Sequence, residues 1–295
     1  MVPPDAATAI FEVHRPKLVR LAYRMLGSMA EAQDIVQDSW LRWQRVESGE
    51  IQDPGAFLKR IVTRLCLDAM KSARARHETY VGHWLPEPMI EPETEALRPD
   101  ELTLTLMLAL ERLSPLERAA FLLHDVFGDP LDAVATALDR DAAAVRQLAA
   151  RARKHVRAAH TRYPVAREEG ERIARAFFAA SSGGDIAALR SLLAQTVVLK
   201  ADGGGKAHAF RNPILGLDRV LRLYQGLFRK LKAHPALYLR PLWIDGLPGY
   251  ASRERDDVLQ TTALEIEEGR ITAIYITRNP DKLAEVARLV RNPHH

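Results

Sequence analysis

A chain of 295 residues is long enough for about two domains at roughly 150 residues each, and its 47% hydrophobic content supplies buried cores, which excludes a mainly disordered protein. With 42 Lys and Arg against 38 Asp and Glu the formal charge is only +4, so total charge names no partner and its distribution must be read instead. The single cysteine, Cys66, closes no intramolecular disulfide and makes no cysteine-rich zinc site. The opening Met-Val-Pro-Pro-Asp lacks a signal-peptide pattern, and no run approaches the ~20 apolar residues of a membrane span, so a cytoplasmic chain without membrane contact is expected.

From about Ala6 to Ala75 apolar residues recur at helical spacing: Leu18, Leu21, Ala22, Met25 and Leu26, then Ile35, Val36, Trp40 and Trp43, then Phe57, Ile61, Leu65, Leu67 and Ala69. Gly27-Ser28, Ser48-Gly49 and Asp53-Pro54-Gly55 punctuate them, predicting a bundle of three or four helices as a first domain, 1–80. Trp40 and Trp43 read as core rather than as a base-stacking platform. Arg60, Arg64, Lys71, Arg74 and Arg76 form a basic stripe, while Asp34, Gln37 and Asp38, with Glu31, form an acidic and polar face. Each face is either a partner surface or an ordinary solvated one.

Residues 81–101 contain Pro86, Pro88, Pro92 and Pro99 among many acidic side chains, which predicts an extended linker. A second helical block, 102–163, breaks at Ser114-Pro115, where Ser114 can cap a helix starting at Pro115, and at Gly128-Asp129-Pro130. From Pro130 to Val156 the spacing is that of a helix-turn-helix: one helix to Leu138, a turn at Asp139-Arg140-Asp141, and a second helix from Ala142. Glycine is common in such a turn because one position favours positive φ; Asp139 reaches that region less readily. Between Arg140 and Arg162 the basic residues Arg140, Arg146, Arg151, Arg153, Lys154, Arg157 and Arg162 face Asp141 alone. That stripe suits a duplex phosphate surface, and Arg146, Gln147, Ala150, Arg151 and Lys154 leave the apolar face, free to enter a major groove. A solvated helix or a helix contact remains the bland alternative.

After Pro164 the pattern becomes α+β, giving a domain 168–295. A helical stretch from Glu168 to Leu193 is interrupted at Ser181-Ser182-Gly183-Gly184. Strands are expected at Thr196–Ala201, Ala236–Trp243, Val258–Glu267 and Arg270–Thr277, with a helix at Leu217–Leu231 and a hairpin turn at Glu268-Gly269. Helices followed by an antiparallel sheet suit a cone enclosing a pocket. Acid–base candidates there are Asp202, His208, His234, Asp245 and Asp256, none in a recognisable pair, so no catalytic residue is assigned. His14, His77, His83, His124, His155 and His160 lack ligand spacing, so neither metal nor cofactor is expected. Asp202-Gly203-Gly204-Gly205-Lys206 has no Walker spacing; its glycines permit an unusual backbone path and let another segment come close. His294-His295 reads as an expression-tag remnant.

Ala22-Tyr-Arg-Met-Leu-Gly-Ser-Met-Ala-Glu-Ala-Gln-Asp-Ile-Val-Gln-Asp-Ser-Trp-Leu-Arg-Trp43 resembles region 2 of the extracytoplasmic-function sigma factors, and Leu110 to Val156 resembles their region 4. Trp84-Leu85-Pro86-Glu87-Pro88, Asp202 to Lys206 and Asn279-Pro280-Asp281-Lys282-Leu283 look like the signature of the group with a fused C-terminal SnoaL-like domain, related to nuclear transport factor 2. The resemblance implies a multidomain chain: two all-α sigma domains, a region 2 bundle and a region 4 helix-turn-helix, joined to an α+β SnoaL-like cone. It further implies a non-enzymatic promoter-recognition subunit of bacterial RNA polymerase. Asp34, Gln37 and Asp38 would dock on the β′ clamp helices and region 4 on the β flap. Residues from Arg45 to Pro54 and the basic stripe of Arg60, Arg64, Lys71, Arg74 and Arg76 would grip the −10 strand. Arg146, Gln147, Ala150, Arg151 and Lys154 would read the −35 duplex. The C-terminal domain would tune activity in cis, replacing a separate anti-sigma factor, with the Trp84–Pro88 strip held near the other two motifs and the promoter-reading domains thereby kept too close together. A spacer role for that strip is the competing reading, and any pocket ligand is unknown. Two whole-protein alternatives are a small-molecule enzyme or ligand-binding protein with a helical regulatory half, and a conventional DNA-binding regulator.

Overall fold

The computed structural model describes residues 4–46, 51–78, 80–90, 104–156, 165–231, 236–254 and 257–291. They divide between two units, one drawn from 1–78 and 106–160, the other from 79–105 and 161–295. Several sequence-level readings fall outside the described residues: 47–50 of the Arg45–Pro54 stretch, the linker beyond residue 90, Arg157, Arg162, His160, His234, Asp256, His294-His295, and the side chains of Arg74, Arg76 and His77.

In the first unit, α1 (Pro4–Leu26), α2 (Met29–Trp43) and α3 (Pro54–Glu78) form the bundle. Leu21, Met25, Val36, Trp43, Leu58 and Val62 are buried between them. The Ser28 hydroxyl accepts the Glu31 amide at 3.3 Å, satisfying one orphan donor at the start of α2. Trp43 belongs to the core: its indole N–H donates to the Ala7 carbonyl at 3.0 Å and its ring lies 6.0 Å from Phe57. Trp40 packs 5.0 Å from Phe11.

The second helical block begins with α4 (Leu104–Leu110) and continues as α5 (Pro115–Phe121), a π-helical turn over Leu122–Val126, α6 (Leu131–Leu138) and α7 (Ala142–Val156). Ser114 and Glu117 make a capping box at the start of α5. The turn between α6 and α7 is of the helix-turn-helix type, and Asp139 occupies its left-handed position at φ 54°. Asparagine and aspartate tolerate that conformation better than other non-glycine residues, which is how the turn closes without glycine.

The two blocks pack together as one unit. Arg118, 4% exposed, donates from Nη1 to the Met25 carbonyl and to Glu111 Oε1, each at 2.7 Å, and from Nε to the Leu110 carbonyl at 3.0 Å. Lys59 of α3 pairs with Asp129 at 2.5 Å. A buried cation needs partners on every N–H, and Arg118 draws them from both blocks.

The second unit opens with α8 (Arg167–Gly183) and α9 (Ile186–Leu192), followed by β1 (Leu193–Asp202), β2 (Ile214–Leu215), α10 (Leu217–Leu231), β3 (Leu237–Ile244), β4 (Leu247–Arg253), β5 (Leu259–Glu267), β6 (Arg270–Thr277), a 3₁₀ turn at Pro280–Lys282 and α11 (Ala284–Arg291). The sheet order is β2-β1-β6-β5-β4-β3. Ile173 and Phe177 of α8, Leu189 of α9 and Val220, Leu221 and Tyr224 of α10 pack on Val197, Leu199, Leu264 and Ile274 of the sheet. This is the expected α+β cone.

Three details correct the sequence reading. The sheet is not wholly antiparallel, because β1 runs parallel to β6. β4, hidden by the turn-like Pro248-Gly249, pairs along its whole length with β3 and from Gly249 to Arg253 with β5. The C-terminal α11 was not foreseen. The hairpin turn at Glu268-Gly269 is present, with φ of 50° and 75°.

Residues 80–90 belong to this unit; they bend at Val81-Gly82, where Gly82 has φ 92°, and continue without helix to Ile90. Ile90 bridges Ile244 antiparallel at the end of β3. The buried Asp245, in the β3–β4 turn at φ 46°, donates its N–H to the Met89 carbonyl at 3.0 Å. It also accepts the Met89 N–H on its carboxylate at 3.2 Å and the Leu104 N–H on its carbonyl at 2.9 Å.

Candidate functional site

On α7 the helical period separates two faces. Val145, Leu148, Ala149, Ala152 and Val156 are buried, while Arg146, Gln147, Ala150, Arg151 and Lys154 are exposed. Two of its arginines are held by carboxylates of the same unit: Arg151 Nε lies 3.1 Å from Glu117 Oε1, and Arg153 Nε lies 2.6 Å from Asp125 Oδ1. Glu117 is partly buried, which raises its pKa, yet hydrogen bonds from Ser114 and the charge of Arg151 outweigh this and hold the carboxyl below its ordinary range. The pairs point the guanidinium groups without removing them from solvent.

On α3, Arg60 is half-buried with its guanidinium 5.4 Å from the Phe57 ring, and Arg64 and Lys71 are exposed. Lys71 bonds Asp68 at 2.9 Å, and this lowers the Asp68 pKa. On α2, Asp34, Gln37 and Asp38 lie exposed on the side opposite Ala32, Val36, Ser39 and Trp43. The structure thus sets an anionic face on α2 and cationic faces on α3 and α7.

In the second unit, the three short motifs converge on one carboxylate. Asp202, fully buried at the end of β1, accepts the Tyr80 hydroxyl at 2.6 Å and the Gly204 N–H at 2.9 Å on Oδ1, and the Leu85 N–H at 2.9 Å and Lys282 Nζ at 2.8 Å on Oδ2. Lys282 also donates to the Leu85 carbonyl and lies 4.3 Å from the Trp84 ring and 5.1 Å from the Tyr80 ring. Asn279 donates to the Tyr80 hydroxyl at 3.0 Å, and the Arg278 and Asn279 amides donate to the Asp202 carbonyl at 2.7 and 3.1 Å. Leu85, Pro86 and Pro88 are buried, and Trp84 and Glu87 half-buried.

Outside this centre, Lys206 pairs with Asp281 at 2.6 Å in the open, Leu283 is buried and Pro280 exposed. Gly203 and Gly204 are there for space: a Cβ on the first would stand 2.1 Å from the Ala207 carbonyl oxygen. On the second, already at φ 58°, it would stand 2.3 Å from Asn279 Nδ2.

Tyr80 and Met89 are members of this contact that sequence reasoning missed, and Asp245 was read there only as an acid–base candidate. Tyr80 is the legible one, an aromatic with a polar tip just ahead of Trp84. Burial, and then the neighbouring Asp202, push the Tyr80 hydroxyl well above its ordinary pKa, so it stays a donor. Of the acid–base candidates among the described residues, Asp202 and Asp245 serve the 80–90 segment, and His208 lines a cavity under α10.

Residues 10–76 match Sigma-70 region 2 and residues 103–156 match Sigma-70 region 4. The ECF RNA polymerase sigma factor SigJ of Mycobacterium tuberculosis is 36% identical over 293 residues, covering 92% of this chain and 91% of SigJ. The chain belongs to the extracytoplasmic-function sigma factor family. The probable ECF sigma factor SigI of the same species is 32% identical over 289 residues, 95% of each chain. The crystal structure of the M. tuberculosis SigJ matches with a TM-score of 0.76 at 33% identity, covering 94% of this chain and 98% of that one.

As a member of this family the chain is a sigma factor that binds core RNA polymerase and promoter DNA to direct transcription initiation, and it is not an enzyme. The match to the SigJ crystal structure covers 94% of this chain and so takes in its C-terminal α+β domain as well. No helix of the described residues is long and apolar enough to cross a membrane.

Proposed function

We propose that this sigma factor reads promoters through the faces described above and is restrained in cis by its own C-terminal domain. α7 enters the −35 major groove, with Arg146, Gln147, Ala150 and Arg151 toward base edges and Lys154 toward phosphate. Arg60, Arg64, Lys71, Arg74 and Arg76 grip the opened −10 strand, where Arg60 and Phe57 together offer a stacking and cationic surface. Asp34, Gln37 and Asp38 dock on the β′ clamp helices, region 4 meets the β flap, and the complex acts in the cytoplasm where polymerase works.

The restraint works through the 80–90 segment, the start of the connection between regions 2 and 4. The buried Asp202 carboxylate, shared by Tyr80, Leu85 and Lys282, carries this reading. A linker held at that point cannot extend to let the two DNA-reading regions part, so polymerase binding must release it, a population shift between held and open forms. This makes a separate anti-sigma factor unnecessary.

The experiment is promoter-dependent transcription by the full chain with core polymerase, comparing wild type with Trp84→Ala. The reading predicts more transcript from Trp84→Ala at sub-saturating polymerase, because the linker opens more readily. An unchanged yield supports the solvated-spacer reading instead.

A further inference from the structure

The C-terminal domain encloses a cavity of about 750 Å³ between the sheet and the helices α8 and α10. That is within the range of pockets that take drug-sized molecules, whereas protein interiors are otherwise packed to crystal-like density. Its walls carry the rings of Phe178, Phe210, Tyr224, Phe228 and Tyr250. Several of these rings are fixed by edge-to-face contacts: Phe177 with Tyr224 at 5.6 Å, and Phe178 with Tyr250 at 5.3 Å. Rigid flat walls suit a flat guest better than a flexible chain, because stacking rewards a face presented in one orientation.

The charged groups are distributed unevenly. Leu199, Tyr224, Tyr250 and Ile276 are buried or nearly so, while His208, Lys230, Glu254 and Arg278 lie at its more exposed residues. Among the described lining residues Lys230 and Arg278 outnumber Glu254, and Arg278 is oriented by its 2.7 Å bond to the His208 carbonyl. A guest with an apolar ring system inward and a negative group outward matches both ends.

The cavity also shares a wall with the Asp202 contact. Ala201 and Arg278 line it, and their chain neighbours Asp202 and Asn279 hold Tyr80 and Leu85. The Arg278 and Asn279 amides both close on the Asp202 carbonyl, so a shift of the β6 end at the cavity moves the carboxylate that grips the linker.

We propose that this cavity is the site of a ring-bearing carboxylic acid whose occupancy is felt at the Asp202–Leu85 contact. The site rests on the cavity alone and not on promoter recognition. Calorimetric titration of the full chain with 2-naphthoate tests it, with decanoate as the chain-like comparator. One-to-one binding is expected, at least tenfold tighter than decanoate, and weakened at least tenfold by Leu223→Trp, which fills the cavity from α10. Lys230→Gln, at an exposed position, is expected to weaken 2-naphthoate at least threefold while leaving 2-naphthalenemethanol unchanged, and it carries the test should Leu223→Trp fail to fold. Saturation with 2-naphthoate is expected to change Leu85 amide exchange at least threefold. No binding at millimolar concentration, or equal binding by a folded Leu223→Trp, overturns the site. Equal or tighter decanoate binding overturns the ring class, and an unchanged 2-naphthoate affinity in Lys230→Gln overturns the carboxylate. Binding with unchanged Leu85 exchange overturns the coupling.

Discussion

Asp202→Asn keeps the shape of the buried side chain and removes its charge. In the native protein the carboxylate is fully buried and pairs with Lys282, whose side chain is 13% exposed. Breaking a buried pair from one side costs about 3–5 kcal/mol. Asparagine keeps one acceptor oxygen, and Lys282 keeps the Leu85 carbonyl and two aromatic rings, so the lower end, about 3 kcal/mol, applies. At about 1.4 kcal/mol per factor of ten, this is on the order of a hundredfold in the equilibrium between held and open linker. The Leu85 amide reports it directly, because its N–H donates to the lost carboxylate oxygen. Hydrogen exchange at Leu85 is therefore expected to accelerate about a hundredfold in Asp202→Asn, with α8 and α10 amides much less affected. Leu85 exchange within threefold of wild type, in a protein of unchanged melting temperature, refutes the assignment of Asp202 as the point that holds the linker.

Arg118→Ala removes the donor shared by Met25, Leu110 and Glu111; it is expected to destabilise the helical unit by about 3 kcal/mol and lower its melting temperature by about 8 °C in a thermal scan. Asp139→Gly relieves the left-handed turn residue and is expected to stabilise the same unit by up to about 1 kcal/mol, read by denaturant unfolding, whereas Asp139→Val is expected to destabilise it. Glu265 is buried, which raises its carboxyl pKa despite hydrogen bonds from Thr105 and Tyr275. Between the ordinary glutamate value and that raised one the native state binds more protons than the unfolded state, so its contribution to stability falls as pH rises. Glu265→Gln removes that dependence, and its stability relative to wild type is expected to grow as pH rises from about 4.5, measured by urea unfolding across the range.

What the chain revealed before its structure depended on how local the cause was. α6 and α7 were legible because an apolar face repeats at helical spacing over one short segment, and Ser114-Pro115 marked the start of α5 for the same local reason. Asp139 left a doubt about the turn that only its backbone angle removed. β4 was missed because Pro248-Gly249 reads as a turn, while its pairing with β3 and β5 depends on residues elsewhere in the chain. The parallel pairing of β1 with β6 is likewise set by distant packing. Within the candidate site, the three motifs were visible as motifs, but the carboxylate that joins Leu85 to Asp202 spans 117 positions, and no spacing rule reaches that far. Arg118 carried a faint signal, a charge set against Ala119, Ala120 and Phe121 in an apolar run; its partners at Met25 and Leu110 were not readable.

The most direct test is run-off transcription from a promoter bound by the family, using core polymerase and the full chain, with and without the double substitution Arg146→Ala and Arg151→Ala. A specific transcript that depends on the chain, and that falls at least tenfold in the double variant while polymerase binding persists, is the predicted result. A chain that fails to join core polymerase, or a double variant that initiates as well as wild type, contradicts the account of α7 as the element that reads the promoter.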